Sequence, residues 1–364
     1  MTSVPATVAQ HYPIVVGVDT HAKNHVYAAV ASTTGEVLDV RTYPTTRGGL
    51  SKAITWIQTL APHHQVLTSI EGALSWGTTL THALTRAGLT VTEAPTPRRG
   101  RADAKDDHHD AIRAARNVLA QDITRLASPK MGTIHEDTRV LLSARRTLTQ
   151  DKNRTILALT ALIRDYDLIA KVRSKITTTQ ITTIASWRPT PTQTHYRARK
   201  EAHRLAQRLT QIHTELEDNK AELDALTTHM VPELTDLCGL GPVIAAKCLE
   251  AYSHHGRVRN DAAFARLAGT CPIPASSGNT TRHRLNRSGD RELNQHIHHA
   301  IVTRLRWDPN TITYMNRRLQ EGKTKREIMR CLKRHLTRTI YKTLKHIDLD
   351  TRATTWTPTP HTAA

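Results

Sequence analysis

Aromatic residues are scarce, at 4% of 364 positions, and Phe264 is the sole phenylalanine. Cores must rest on Ala, Leu, Ile and Val, which suits helices and small sheets, and base-stacking platforms are poorly supplied as a main binding mode. Cysteine is also sparse: Cys238, Cys248, Cys271 and Cys331 form no C-x-x-C pair and no zinc-like spacing. They read as buried thiols in a reducing compartment. No apolar run reaches eighteen residues, and the opening MTSVPATVAQHYP has no charged-then-apolar signal pattern. A soluble, intracellular protein without membrane contact is therefore expected. Acids are outnumbered, with 32 Asp+Glu against 51 Lys+Arg, giving +19 and a pI near 10.2. Such an excess attracts polyanions and points to nucleic acid. From Arg282 to Lys345 there are 17 Lys or Arg against 5 Asp or Glu, a concentration that favours a phosphate-binding surface. The 22 histidines include the doublets His63-His64, His108-His109, His254-His255 and His298-His299, which read as solvated surface without a function.

What is present suggests two or three domains. Short apolar runs at Ile14–Val18, Val26–Ala31 and Val37–Tyr43 predict a three-strand antiparallel meander. A helix from about Leu50 to Leu60 follows, then a strand over Val66–Ile70, and a helix over Trp76–Ala87 closed by Gly88. Leu89–Glu93 reads as a fifth strand, and a helix spans about Lys105 to Ala120. That order is the order of an RNase H-like (RuvC-like) fold, expected over residues 1–128.

Residues 129–232 read as a long helical, coiled-coil middle. Leu205, Leu209, Ile212, Leu216, Asn219, Leu223, Leu226 and Met230 alternate spacings of four and three, a heptad seam with Asn219 in one core slot. An earlier helix, about His135 to Lys171, offers an intramolecular partner. An intermolecular coiled coil fits the seam equally well. Residues 233–348 read as a mainly helical, basic domain. In it, Leu237-Cys238-Gly239-Leu240-Gly241-Pro242 resembles a helix-hairpin-helix whose Gly239 and Gly241 amides can approach a phosphate. An ordinary tight turn between helices is the competing reading. The Thr/Pro-rich residues 349–364 read as a disordered tail.

If the first and fourth strands pair in parallel, their ends lie about 5 Å apart and bring Asp19 and Glu71 together, where open α/β sheets place their sites. Asp107 and Asp110, at i and i+3, share a face of the helix after the fifth strand. Asp106 and Asp110 are helical neighbours too, so spacing alone does not separate Asp106 from Asp107. Converging acids repel unless neutralised, and two hard divalent cations, Mg²⁺ or Mn²⁺, would do so and could activate phosphodiester chemistry. Turn and helix-dipole roles are the bland alternatives for the same acids.

Val16-Gly17-Val18-Asp19-Thr20, Ile70-Glu71-Gly72 and Lys105-Asp106-Asp107-His108-His109-Asp110-Ala111 resemble the DEDD motifs of the insertion-sequence 110 transposase family. The resemblance selects Asp107 and Asp110 and leaves Asp106 at a variable slot. Pro274-Ala275-Ser276-Ser277-Gly278, followed by Arg282–Arg287 and Ser288-Gly289-Asp290-Arg291-Glu292-Leu293, resembles the C-terminal domain of that family. The loop alone would be explained by turn chemistry. The family serine directly precedes the Gly, which makes Ser277 the implied nucleophile and Ser276 the runner-up. Asn279 and Asn294 depart from the family pattern, which often has Gly and Arg there.

The resemblance implies a DNA transposase in which Asp19, Glu71, Asp107 and Asp110 hold metal while Ser277 attacks the scissile phosphate to form a phosphoserine. It implies an oligomer that pairs element-end and target DNA under a structured guide RNA, in a bacterial-type cytoplasm at the nucleoid. Arg98, Arg99, Arg101, Gly239, Gly241, Arg282, Arg284, Arg287 and Arg291 are the expected nucleic-acid contacts. Two rivals remain: a RuvC-like junction nuclease using water instead of serine, and a non-catalytic nucleic-acid scaffold.

Overall fold

The computed structural model describes residues 6–62, 65–95, 106–169, 176–274, 283–284, 286 and 288–357. Two compact units divide the chain, residues 1–130 and 131–364.

The first unit is a mixed α/β layer. A short helix α1 (Val8–His11) precedes β1 (Ile14–Thr20), β2 (Asn24–Ala31) and β3 (Val37–Pro44), the expected meander. Next come α2 (Arg47–Leu60), β4 (Val66–Ile70), α3 (Thr78–Arg86), β5 (Thr90–Glu93) and α4 (Asp107–Leu119). The sheet order is β3-β2-β1-β4-β5, with β1 antiparallel to β2 and parallel to β4. Strand β4 is buried along its whole length, and β1 from Val15 onward. Helices on both faces explain such continuous apolar runs. Val16, Val18 and Ile70 pack with Leu50, Trp56, Ile57, Leu80 and Leu84 of α2 and α3. Val15, Val30 and Leu67 pack on the opposite face with Ala115 and Val118 of α4.

Alternation along β1 puts Val15, Gly17 and Asp19 on the α4 side. Gly17 sets how closely that helix can lie. A Cβ there would stand 2.0 Å from the Ala111 carbonyl oxygen and 2.4 Å from the Ala115 nitrogen. Only a residue without a side chain permits this approach. Ser69 Oγ, on the same side of β4, donates to the Ala114 carbonyl at 2.8 Å.

The second unit is helical. The long α5 (Thr133–Asp165), the short α6 (Thr178–Ala185) and the long α7 (Tyr196–Met230) open it. The heptad seam is used within the chain: α7 packs antiparallel to α5, Leu142 meeting Leu223 and Leu159 meeting the Ala202–Leu209 stretch. Asn219 Nδ2 donates to the Leu141 carbonyl at 3.0 Å, and Arg145 donates to the Leu216 carbonyl at 2.9 Å. The core slot held by Asn219 is thus satisfied by the partner helix.

The remaining elements are α8 (Pro232–Thr235), α9 (Pro242–Tyr252), α10 (Asp261–Leu267), the paired two-residue strands β6 (Ile273–Pro274) and β7 (His283–Arg284), then α11 (Arg291–Trp307), α12 (Pro309–Gln320), α13 (Lys325–His346) and α14 (Leu349–Thr355). Leu293, Ile297 and Ile301 of α11 meet Ile328, Leu332, Leu336 and Ile340 of α13 in one core. Tyr252, Phe264 and Tyr341 contact one another there, with ring centroids 6.0–6.4 Å apart. The few aromatics are spent largely on cores.

The tail expectation is corrected over part of its length. Residues 349–355 form α14, capped by the Asp348 side chain, which accepts from the Thr351 amide. Arg352 grips Glu233 with both guanidinium nitrogens, and Trp356 packs against the C-terminal core. Composition suggested no core-forming pattern, but these tertiary contacts supply what the sequence period lacks. Residues 358–364 lie outside the described set. Among the described residues, no helix is long and apolar enough to cross a membrane.

Candidate metal centre and the basic loop

The parallel pairing of β1 with β4 aligns Val18 with Ile70, so Asp19 and Glu71 leave adjacent strands at the same end. Two backbone clamps hold these ends. The Glu71 amide donates to the Val18 carbonyl at 2.9 Å, and Thr20 Oγ1 donates to the Glu71 carbonyl at 2.7 Å. Asp19 is buried, at 8% exposure.

The start of α4 supplies the second half. Asp106 is the N-cap, its Oδ1 accepting from the His108 amide at 3.1 Å, and its other oxygen sits 2.7 Å from His109 Nδ1. Asp107, one residue on, turns toward the sheet instead. The geometry therefore separates the two acids that spacing left equivalent: Asp106 caps the helix and Asp107 faces Asp19.

Between Asp19 and Asp107 stands a residue the sequence reading did not select. His21 Nε2 lies 2.8 Å from Asp19 Oδ2 and 3.3 Å from Asp107 Oδ1. These three groups present ligand atoms within 4.8 Å of one another. A single histidine two residues beyond Asp19 carries no metal-ligand spacing of its own, and its place becomes visible only through the distance to Asp107 on α4. The β1–β2 turn fixes His21, whose backbone amide donates to Nδ1 of buried His25 at 3.3 Å.

Asp110 is buried one turn along α4, where its Oδ1 pairs with Arg113 at 3.3 Å. The close trio is thus Asp19, His21 and Asp107. Glu71 is pinned beside it through its backbone, and Asp110 is charge-compensated on the same helix. A groove of about 720 Å³ opens beside His21 and Asp107, lined also by Lys23, Asn24, Thr42, Asp106 and His108; buried Asp19 is not part of its wall. Two carboxylates and an imidazole form a donor set that suits a divalent metal.

In the second unit, β6 and β7 pair antiparallel, Ile273 with Arg284 and Pro274 with His283. Ser276, Ser277 and Arg282 belong to the stretch that joins these strands, and they lie outside the described residues, as do Arg98, Arg99, Arg101 and Arg287. The ground next to the hairpin is firmly built. Asn286 Oδ1 accepts from the Ser288 amide at 2.9 Å and its Nδ2 donates to Cys271 Sγ at 3.2 Å. Asp290 caps α11 by accepting from the Glu292 and Leu293 amides at 2.9 and 3.0 Å. Buried Lys247 holds that cap from α9, with Nζ 3.1 Å from Asp290, 3.0 Å from Glu250 and 3.3 Å from Glu292. Asn294, where the family pattern often has Arg, donates to the Ala268 carbonyl at 2.7 Å and accepts from Lys333. Arg284 and Arg291 are exposed.

The glycines of the α8–α9 turn divide. Gly239 has φ +80°, and a Cβ on it would stand 2.7 Å from the Ala300 carbonyl oxygen of α11, so it serves close helix packing. Gly241 is the N-cap of α9, and a Cβ there would meet nothing within 4 Å.

Comparison with known proteins agrees at the level of both units. Residues 16–167 match the DEDD-type transposase family model of IS110 elements. Residues 231–316 match the model described as the transposase IS116/IS110/IS902 family. No curated protein matches the chain. The first match contains every acid of the carboxylate site, and the second contains the hairpin with its basic flank. Both describe enzymes that bind DNA to cut and recombine it, and on these grounds the chain belongs to the IS110 family of transposases.

Proposed function

We propose that this transposase cuts and rejoins DNA at an RNase H-like carboxylate centre formed by Asp19, Glu71, Asp107 and Asp110, with Ser277 as the nucleophile. The observation that carries the reading is the convergence of Asp19 and Asp107 where β1 ends and α4 begins, their ligand atoms within 4.8 Å of each other and of His21. The β3-β2-β1-β4-β5 order supports the RNase H-like assignment.

A divalent ion, Mg²⁺ or Mn²⁺, held by the carboxylates would supply charge neutralisation at the phosphate and ease loss of the serine proton. The chain's own part is as follows. Asp19 and Asp107 present the carboxylate oxygens that would hold that cation against the phosphate. Ser277 Oγ forms a bond to phosphorus while one ester oxygen leaves with a proton as a free hydroxyl. A serine hydroxyl needs such help, because it is a weak nucleophile at neutral pH. The phosphoserine ester keeps the bond energy, so the hydroxyl of a new DNA end can displace Oγ without ATP. Arg98, Arg99, Arg101, Arg282, Arg284, Arg287 and Arg291, with the Gly241 amide, contact phosphates. A structured RNA selects the sites by base pairing, and the protein acts as a homo-oligomer.

The test is a strand-transfer reaction with purified protein, Mg²⁺, element-end DNA and co-expressed RNA, resolved on denaturing gels. A protein–DNA adduct is expected for the native chain. Ser277→Ala should abolish it while duplex binding stays within about twofold. Adducts that persist in Ser277→Ala would shift the role to Ser276 or elsewhere, and free ends without adduct would favour a water-using nuclease.

A further inference from the structure

We infer that His21 is a direct nitrogen ligand of the metal centre and biases it toward a nitrogen-accepting transition ion such as Mn²⁺ over Mg²⁺. This deepens the carboxylate-site reading above and rests on it.

The geometry fits a shared ion. Ligands about 2.1 Å from an octahedral metal stand about 3.0 Å apart along each edge. His21 Nε2 is 2.8 Å from the nearer Asp19 oxygen and 3.3 Å from the Asp107 oxygen, close to that edge on both sides. All three donor atoms lie within 4.8 Å of one another, near the span of one coordination sphere, so small side-chain adjustments suffice for a single ion to reach them. The ring enters from the β1–β2 turn, where the amide of His21 is tied to His25 Nδ1. The backbone that carries the ring is therefore held from outside the carboxylate pair. His21 also lines the groove, which leaves further coordination positions open to water or phosphate.

The chemistry follows from donor type. An all-oxygen site suits Mg²⁺, whereas imidazole suits transition ions, whose affinities rise from Mn²⁺ along the first row. One nitrogen among oxygens keeps Mn²⁺ competent and penalises Mg²⁺. Binding requires that the Nε2 proton be absent, since the lone pair must face the ion.

The experiment uses the purified full chain with Mn²⁺ or Mg²⁺ alone, without DNA, and reads binding by calorimetry and the metal's surroundings by pulsed electron paramagnetic resonance. Native protein loaded with Mn²⁺ should show nitrogen hyperfine coupling, lost in His21→Ala. His21→Ala should weaken Mn²⁺ about 10- to 100-fold, the scale of losing a supporting contact in a metal site, and weaken Mg²⁺ less than about threefold. Native protein that binds Mn²⁺ without nitrogen coupling overturns the inference, whatever the variant does. Asp19→Asn and Asp107→Asn separate the two levels. If they abolish Mn²⁺ binding while His21→Ala does not weaken it, the nitrogen ligand fails and the carboxylate centre stands. If they leave Mn²⁺ binding intact as well, the carboxylate centre itself fails.

Discussion

Lys247 shows how much a single residue can organise. Its ammonium is buried among Glu250, Asp290 and Glu292, and through Asp290 it holds the N-terminus of α11 next to the basic hairpin. Burial alone would lower its pKa, but Glu250 and then Asp290 outweigh that and hold it above the ordinary 10.5. The unfolded chain loses this proton first as pH climbs. The stabilisation is therefore complete below about pH 10 and is lost as pH rises through the folded value. Asp290 behaves oppositely: burial would raise it, but the Leu293 amide and Lys247 draw it below its usual 3.8. Its contribution is present above about pH 4 and is lost as pH falls. Lys247→Met should cost about 3 kcal/mol at pH 7, the lower end for breaking a buried pair, because the carboxylates keep some access to water. Urea unfolding at pH 4, 7 and 10.5 checks this. A variant midpoint equal to the native one at pH 7 would refute the anchoring role. None of this was legible in the sequence, since the four charged residues come from α9 and from the start of α11. By contrast, Asp19 and Glu71 were readable, because each directly ends a short apolar run. His21 was not, because its importance lies in a distance across two elements.

The elements were legible where their period was strong. The meander, β4 and β5 follow from brief apolar runs bounded by turn residues, and parallel pairing of β1 with β4 follows once α2 carries the chain back from the end of the meander. Gly17 explains why α4 can bring Asp107 to the sheet, yet a glycine inside a strand does not reveal which helix will press on it. The heptad seam of α7 was equally clear, but a seam does not name its partner. The partner is α5, as the bond from Asn219 to the Leu141 carbonyl shows. Asn219→Ala removes the added bond to that carbonyl, which keeps its partner within α5, and a contact to Arg145, at 3.3 Å in the native chain. A loss of about 0.5–1.5 kcal/mol is expected, the net worth of an intramolecular hydrogen bond. Because the seam is filled within the chain, the oligomeric mass measured by light scattering should not change. A shift in mass at unchanged stability would mean that the seam serves contacts between copies. Helix α14 marks the other limit: Asp348, Arg352 and Trp356 build it from contacts with Glu233 and the C-terminal core, and no periodic pattern announces that.

At the scale of the whole molecule, charge and chemistry separate. In the proposed function the net charge of +19 serves the DNA backbone regardless of sequence, whereas the acids at the ends of β1 and β4 serve one phosphate. Affinity should then follow counterion release. If six to ten phosphates are neutralised, binding to a random duplex should fall about 10³- to 10⁵-fold between 50 and 200 mM salt. Fluorescence anisotropy with the full chain measures this directly. Asp19→Asn and Ser277→Ala each remove a group with little part in the basic surface, so both should keep the native salt slope while losing strand transfer. Arg284→Ala with Arg291→Ala, two exposed cations, should lower the slope by about 2. A slope near zero for the native chain would mean that the basic excess does not engage phosphate, and the surplus of arginine and lysine would then need another explanation. A native slope that drops sharply in Asp19→Asn would mean that the carboxylate centre, through its metal, anchors the duplex before it cuts it.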